Sequence, residues 1–107
     1  MRARLRDLGF SIGHFPVGPA NAITDVGGVR VGHSTLIIGD GPLEVGKGPV
    51  RTGVTAIIPR SNIFENRVLA GGFVLNGAGE VSGLTQVQEW GLLETPILLT
   101  NTMSVEL

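Results

Sequence analysis

Gly46-Lys47-Gly48-Pro49-Val50-Arg51-Thr52-Gly53-Val54-Thr55-Ala56-Ile57-Ile58-Pro59-Arg60 is the stretch that decides the fold. A glycine-rich loop feeds a run, Val54 to Ile58, that is almost continuously apolar and rich in β-branched residues. That composition predicts a buried strand, stopped at Pro59. Two later stretches complete the frame. In Gly71 to Thr85, Phe73-Val74-Leu75 reads as a second buried strand. The glycine turn Asn76-Gly77-Ala78-Gly79-Glu80 follows it. Ser82 then offers a side-chain cap for a helix running to about Trp90. Leu84, Val87 and Trp90 share one face of that helix, and Gly91 ends it. In Glu94 to Thr102, Pro96 opens a last strand over Ile97 to Leu99, at a position where its missing N–H is tolerated.

Upstream of this frame, Val29 and Val31 alternate with Arg30 and Gly32, the period of a half-buried strand that continues extended from His33 to Ile38. Asn21 to Gly28 is a turn leading into it. Asp40-Gly41-Pro42 is a turn leaving it, and Leu43 to Lys47 reads as either a short strand or a loop. Residues 1–21, with Gly9, Gly13, Pro16, Gly18 and Pro19, form an irregular surface arm. Ser61 to Arg67 is a polar loop. Strands followed by strand–helix–strand predict an α/β (α+β) layered fold. There is no internal repeat and no linker. Residues 1–107 are expected to form a single domain, and an incomplete one, because few helices are available to cover several apolar strands.

Composition narrows the chemistry. The 107 residues carry a net charge of −1, which calls for neither nucleic acid nor an anionic membrane. Cysteine is absent, so disulfides, thiol nucleophiles and Cys-based zinc sites are excluded within this sequence. There are 17 glycines, dispersed among apolar runs, and they read as tight turns and close backbone approaches. The basic start, Met1-Arg2-Ala3-Arg4-Leu5-Arg6, has no apolar run behind it, and no apolar run is long enough to span a bilayer. A soluble, cytoplasmic protein is the expectation.

Two glycine motifs resemble nucleotide sites and fail on inspection. Gly41 to Gly48 has the spacing of a P-loop, but Gly48 stands where the magnesium-binding hydroxyl belongs. A proline and a β-rich run follow, where a helix is required. Gly77-Ala78-Gly79 has its third glycine one place late, at Gly83, and lacks the acidic partner of a dinucleotide fold. His14 and His33 have no ligand-like spacing, so no metal site is expected, and there is no Gly-x-Ser-x-Gly elbow. Three groups near strand ends remain as substrate-binding candidates. Asn76 and Asn101 carry amides that would polarise a substrate carbonyl. Glu80, chosen ahead of Glu89 and Glu94 because it lies in the glycine turn, would hold a substrate ammonium. The bland alternatives are an Asn satisfying loop backbone and a solvated Glu.

The chain resembles the N-terminal part of the DmpA-like aminopeptidases (L-aminopeptidase/D-esterase, including β-peptidyl aminopeptidases). The carrying segments are Asn21-Ala22-Ile23-Thr24-Asp25-Val26 with Gly28-Val29-Arg30-Val31-Gly32-His33, and Gly46 to Thr55. The turn Leu75-Asn76-Gly77-x-Gly79-Glu80 and the stretch Pro96-Ile97-x-Leu99-Thr100-Asn101-Thr102-x-Ser104-Val105 complete the match. The resemblance implies a four-layer α/β/β/α sandwich and a precursor that cuts itself at a Gly-Ser bond. The new N-terminal serine then attacks peptides, amino-acid amides or esters with its own amine as base. It implies no cofactor, a homo-oligomer, and partnership with the remainder of the same precursor. No serine or threonine of this sequence follows a glycine, and Glu106-Leu107 replaces the usual continuation. The catalytic residue is therefore expected downstream, and these residues alone are expected to be inactive. The rival expectations are a non-enzymatic assembly module that keeps the scaffold, and a small nucleotide-binding domain resting on the two defective glycine motifs.

Overall fold

The computed structural model describes residues 3–104. Met1-Arg2 of the basic start and Val105 to Leu107 of the carboxyl end lie outside the described residues. The organising element is a three-stranded antiparallel sheet, order β1-β2-β3, where β1 is Arg30–Ile38, β2 is Val50–Ile58 and β3 is Ile97–Leu99. β1 and β2 pair over their full nine-residue lengths, from Arg30 opposite Ile58 to Ile38 opposite Val50. β3 adds to the other edge of β2, with Leu99 opposite Thr55 and Ile97 opposite Ile57. The strand expected at Val54 thus starts four residues earlier, because Val50 to Gly53 are held by pairing with Thr35 to Ile38.

Strand alternation sorts the side chains. Val31, Ile37, Ile57, Ile97 and Leu99 share one face with His33, Thr35, Arg51 and Thr55. Leu36, Ile38, Val50, Val54, Ala56, Ile58 and Leu98 share the other. Both faces are rich in apolar residues, the pattern of an inner layer rather than of a sheet with one wet side. Neither face is covered: Leu36, Ile37, Ile38, Val54, Leu98 and Leu99 are all exposed. Among the described residues only Ile63, 7% exposed, is a buried hydrophobe. The chain exposes 9264 Å², where a compact protein of 11.2 kDa exposes about 5,700 Å². Its radius of gyration is 17.3 Å, against about 13 Å for a compact domain of this length.

Beyond the sheet lies a smaller unit. Val68–Leu69 pairs antiparallel with Leu92–Leu93, and helix α1, Leu84–Trp90, precedes the second of these short strands. Ala70 N–H donates to Gly91 O at 3.0 Å, extending the pairing. Gly91 ends the helix as expected, in the left-handed region at φ 66°, and its N–H donates to Val87 O at 2.8 Å. Ser82 does not cap the helix. Gly83, also left-handed, occupies the cap position, with no side-chain hydrogen bond. A terminal methyl of Leu84 packs against Gly72, so a Cβ there would require the leucine side chain to turn away.

Phe73 to Leu75 is not a strand. The segment runs unpaired, and Phe73 and Leu75 are each 86% exposed. Their apolarity would suit a strand, but no neighbour among the described residues offers backbone partners. The two short strands at Val68 and Leu92 were not expected, since two residues are too few to show a period. The loop of Leu43 to Lys47 closes on itself through Glu44 N–H donating to Gly48 O at 2.8 Å. The arm before β1 contains short 3-10 turns at Leu5–Leu8 and Ile23–Asp25. Asp25 organises the second of these turns. Its carboxylate accepts from Ala20 N–H at 2.9 Å and Ala22 N–H at 3.2 Å, and Gly18 lies too close to the carboxylate to carry a side chain.

Candidate functional site

The polar groups of the sheet gather along β2. His33 Nδ1 and Thr55 Oγ1, directly opposite on one face, are 2.9 Å apart. One turn of pleat away, Thr52 and Gly53 receive two contacts from the end of β3. Thr100 Oγ1 donates to Gly53 O at 3.0 Å, and Asn101 Nδ2 donates to Thr52 Oγ1 at 2.6 Å. Gly53 is required by its neighbours: a Cβ there would lie 2.5 Å from Ser34 O and 3.2 Å from Thr35 Cα. An open depression of about 380 Å³ covers this region, lined by His33, Thr35, Arg51, Thr52, Gly53 and Thr55 among others. Arg51 straps its far end by donating to the carbonyls of Ile38 at 3.2 Å, Gly39 at 2.7 Å and Val50 at 2.8 Å, and by pairing with Asp40 at 3.1 Å.

The three sequence candidates are not joined to one another by hydrogen bonds among the described residues. Asn101 bonds Thr52, whose side chain lies on the face of β2 opposite to His33 and Thr55, and it does not line this depression. Asn76 lies in the glycine turn, where its Oδ1 accepts from Ala78 N–H at 3.2 Å and so shapes the turn itself. Glu80 lies in the same exposed turn, with no hydrogen bond or ion pair among the described residues. No hydrogen bond among the described residues joins Asn76 or Glu80 to Asn101.

The acidic alternatives separate clearly. Glu94 is committed. Its Oε1 accepts from Gln86 Nε2 at 2.9 Å, and its Oε2 lies 2.8 Å from Arg67 Nε. That second contact is a charge pairing without hydrogen-bond alignment, which leaves Oε2 without a formal donor. Arg67 in turn stacks over Trp90 and Phe64, with ring centroids 5.7 and 6.0 Å from its guanidinium carbon. Glu80 and Glu89 have no such commitment among the described residues.

The glycine loops are turns. Gly46 and Gly48 close a tight loop into β2, with Lys47 paired to Glu44 at 3.0 Å, and no helix follows them. Gly77 to Gly79 follow an unpaired segment, and the seven-residue α1 starts only at Leu84. Neither offers the strand–loop–helix cradle of a nucleotide site. Among the described residues no three His, Cys, Asp or Glu side chains come together as a metal-ligand set. No helix among them is long and apolar enough to cross a membrane.

The family follows from residues 21–107, which match the model of peptidase family S58. The chain belongs to that family. It is 51% identical, over 102 residues and 95% of its length, to β-peptidyl aminopeptidase BapA of Sphingosinicella microcystinivorans. It is equally identical, over 104 residues and 97% of its length, to BapA of Sphingosinicella xenopeptidilytica. In each case it spans 26% of the relative. The crystal structure of the PH0078 protein from Pyrococcus horikoshii OT3 superposes with a TM-score of 0.84 at 57% identity, covering 96% of this chain and 30% of that one. The expected DmpA-like family and mixed α/β class both hold.

Sequence reading did not gather Thr52, Gly53 and the His33–Thr55 pair into a candidate site. Their signal was present in the stretch Arg51-Thr52-Gly53-Val54-Thr55, where hydroxyls interrupt an otherwise apolar strand.

Proposed function

We propose that this chain is the leading part of a self-processing serine aminopeptidase, which removes N-terminal residues from peptides, amino-acid amides or esters. The observation that carries the reading is 51% identity across nearly the whole chain to two β-peptidyl aminopeptidases. In this reading the precursor cleaves a Gly-Ser bond in the part of the polypeptide that follows. The serine hydroxyl attacks the substrate carbonyl while its α-amine takes the proton. The amine product leaves, and water hydrolyses the acyl-enzyme. The nucleophile lies outside these residues, since Ser11, Ser34, Ser61, Ser82 and Ser104 follow Phe, His, Arg, Val and Met. These 107 residues alone are then inactive.

Their contribution is a wall of the substrate pocket. Asn101 and Asn76 donate amide N–H groups toward the substrate carbonyl, and Glu80 holds the free ammonium that defines an aminopeptidase substrate. The uncommitted state of Glu80, against the paired state of Glu94, favours that choice. The assembled enzyme is a homo-oligomer of processed chain pairs and uses no metal or organic cofactor. The test is to purify the natural polypeptide that carries this segment, determine its chain masses and assay it on amino-acyl p-nitroanilides. Two chains, the smaller beginning with serine, together with hydrolysis, support the reading. A single unprocessed chain without hydrolysis overturns it in favour of an assembly role.

A further inference from the structure

The Arg51-Thr52-Gly53-Val54-Thr55 stretch and the Leu99-Thr100-Asn101-Thr102 stretch lie almost fifty residues apart in sequence, and the sheet brings them together. Register alone aligns β2 with β3 from Thr55 and Leu99 to Ile57 and Ile97. Past Leu99 the strand pairing ends, and side chains take over the connection. Thr100 Oγ1 bonds Gly53 O at 3.0 Å, and Asn101 Nδ2 bonds Thr52 Oγ1 at 2.6 Å. Thr52 and Thr100 are half-buried, whereas Asn101 is exposed. The anchoring hydroxyl is therefore less exposed than the amide it holds, and the bond between them lies at the surface.

From this geometry, and resting on the aminopeptidase reading above, we propose that Thr52 is a positioning residue for Asn101. One amide N–H of Asn101 is spent on the Thr52 hydroxyl. That bond fixes the amide plane and leaves the second N–H to donate to a substrate carbonyl oxygen. A freely rotating exposed amide would have to be ordered at each turnover, and a preorganised donor avoids that cost. Gly53 completes the device, because its missing Cβ lets β1 approach and its carbonyl pins Thr100 beside the amide. The donor strengthens as negative charge develops on the carbonyl oxygen, so the effect falls on kcat rather than on KM.

The test uses the natural full-length polypeptide, with kcat expressed per active site counted from the acylation burst. Thr52→Val keeps the shape and removes the hydroxyl. It is expected to lower kcat on an amino-acyl p-nitroanilide about tenfold with KM changed less than about twofold, and Thr52→Ser is expected to restore kcat. In an Asn101→Ala background, Thr52→Val should add less than about a twofold loss, the non-additivity of residues that act as a unit. A second readout is independent of activity: the side-chain amide resonances of Asn101 shift and exchange faster with water in Thr52→Val but not in Thr52→Ser. Unchanged kcat in Thr52→Val, full additivity with Asn101→Ala, or unmoved amide resonances each overturn the proposal. A wild-type protein with no hydrolysis overturns the aminopeptidase reading and this catalytic role with it, while the resonances still report whether Thr52 holds Asn101.

Discussion

Arg67 Nε stands 2.8 Å from Glu94 Oε2, and this pair ties the loop before the first short strand to the segment that enters β3. Glu94 is 18% exposed and Arg67 43% exposed, so the pair is sheltered on the acid's side only. Trp90 and Phe64 flank the guanidinium. Replacing Arg67 with Met keeps the apolar stem and leaves a largely buried carboxylate without its counter-charge. The expected loss is about 1–2 kcal/mol, below the figure for a fully buried pair because the arginine is partly solvated. Urea unfolding of the full-length polypeptide should show a lower midpoint at constant m-value. Arg67→Lys should recover only part of it, because ammonium lacks the planar stack. An unchanged midpoint in Arg67→Met would show the pair to be ornamental.

Gly53 and Gly32 give a matched contrast on neighbouring strands. A Cβ at Gly53 would lie 2.5 Å from Ser34 O, a backbone atom that cannot rotate away, while a Cβ at Gly32 meets nothing within 4 Å. Gly53→Ala is expected to destabilise by about 1–3 kcal/mol through forced separation of β1 from β2. Gly32→Ala should be neutral or slightly stabilising, because it only restricts the unfolded chain. Chemical denaturation of the two variants side by side checks both signs.

β1 was legible from the alternation of Val29 and Val31 with Arg30 and Gly32, and the later half of β2 from the β-branched run Val54 to Ile58. Gly91 was legible as a helix end because only the left-handed region suits that position. Phe73 to Leu75 was misread for a physical reason: apolarity states that a segment seeks burial, not that a strand partner is present to pair with it. Ser82 was misread because a good capping side chain loses to Gly83, whose left-handed backbone already turns the chain into the helix. At the candidate site, Asn101 could be singled out from the sequence as a polar residue ending an apolar strand. Thr52, its partner, could not, because a threonine inside a β-branched run looks like any other strand residue until the register is known.

The open sheet predicts the behaviour of these 107 residues by themselves. They expose about 3,600 Å² more than a compact protein of this mass, more than one partner's share of most obligate interfaces. Among the described residues β1 also presents an unpaired outer edge nine residues long and free of proline. Expressed alone, the polypeptide is expected to bind a hydrophobic dye and to elute in light-scattering chromatography as associated species. Leu36→Lys combined with Leu98→Lys places two charges on one sheet face and should reduce both signals. A monodisperse monomer that binds no dye would contradict the inner-layer assignment.

Glu80 and Glu89 are both exposed and uncommitted among the described residues, yet only Glu80 lies in the glycine turn where a substrate backbone can approach closely. If Glu80 holds the substrate ammonium, Glu80→Gln removes the counter-charge and keeps the shape. KM for an amino-acyl p-nitroanilide should then rise about tenfold, the worth of one charge-assisted hydrogen bond at a partly solvated site, with kcat less affected. Glu89→Gln, on the α1 surface, should change neither constant. The effect of Glu80→Gln should vanish at high ionic strength less completely than that of a remote charge, because a contact ion pair is screened less than a distant field. Steady-state kinetics of the two variants at two salt concentrations decide the matter, and equal KM values for wild type and Glu80→Gln would remove Glu80 from the pocket.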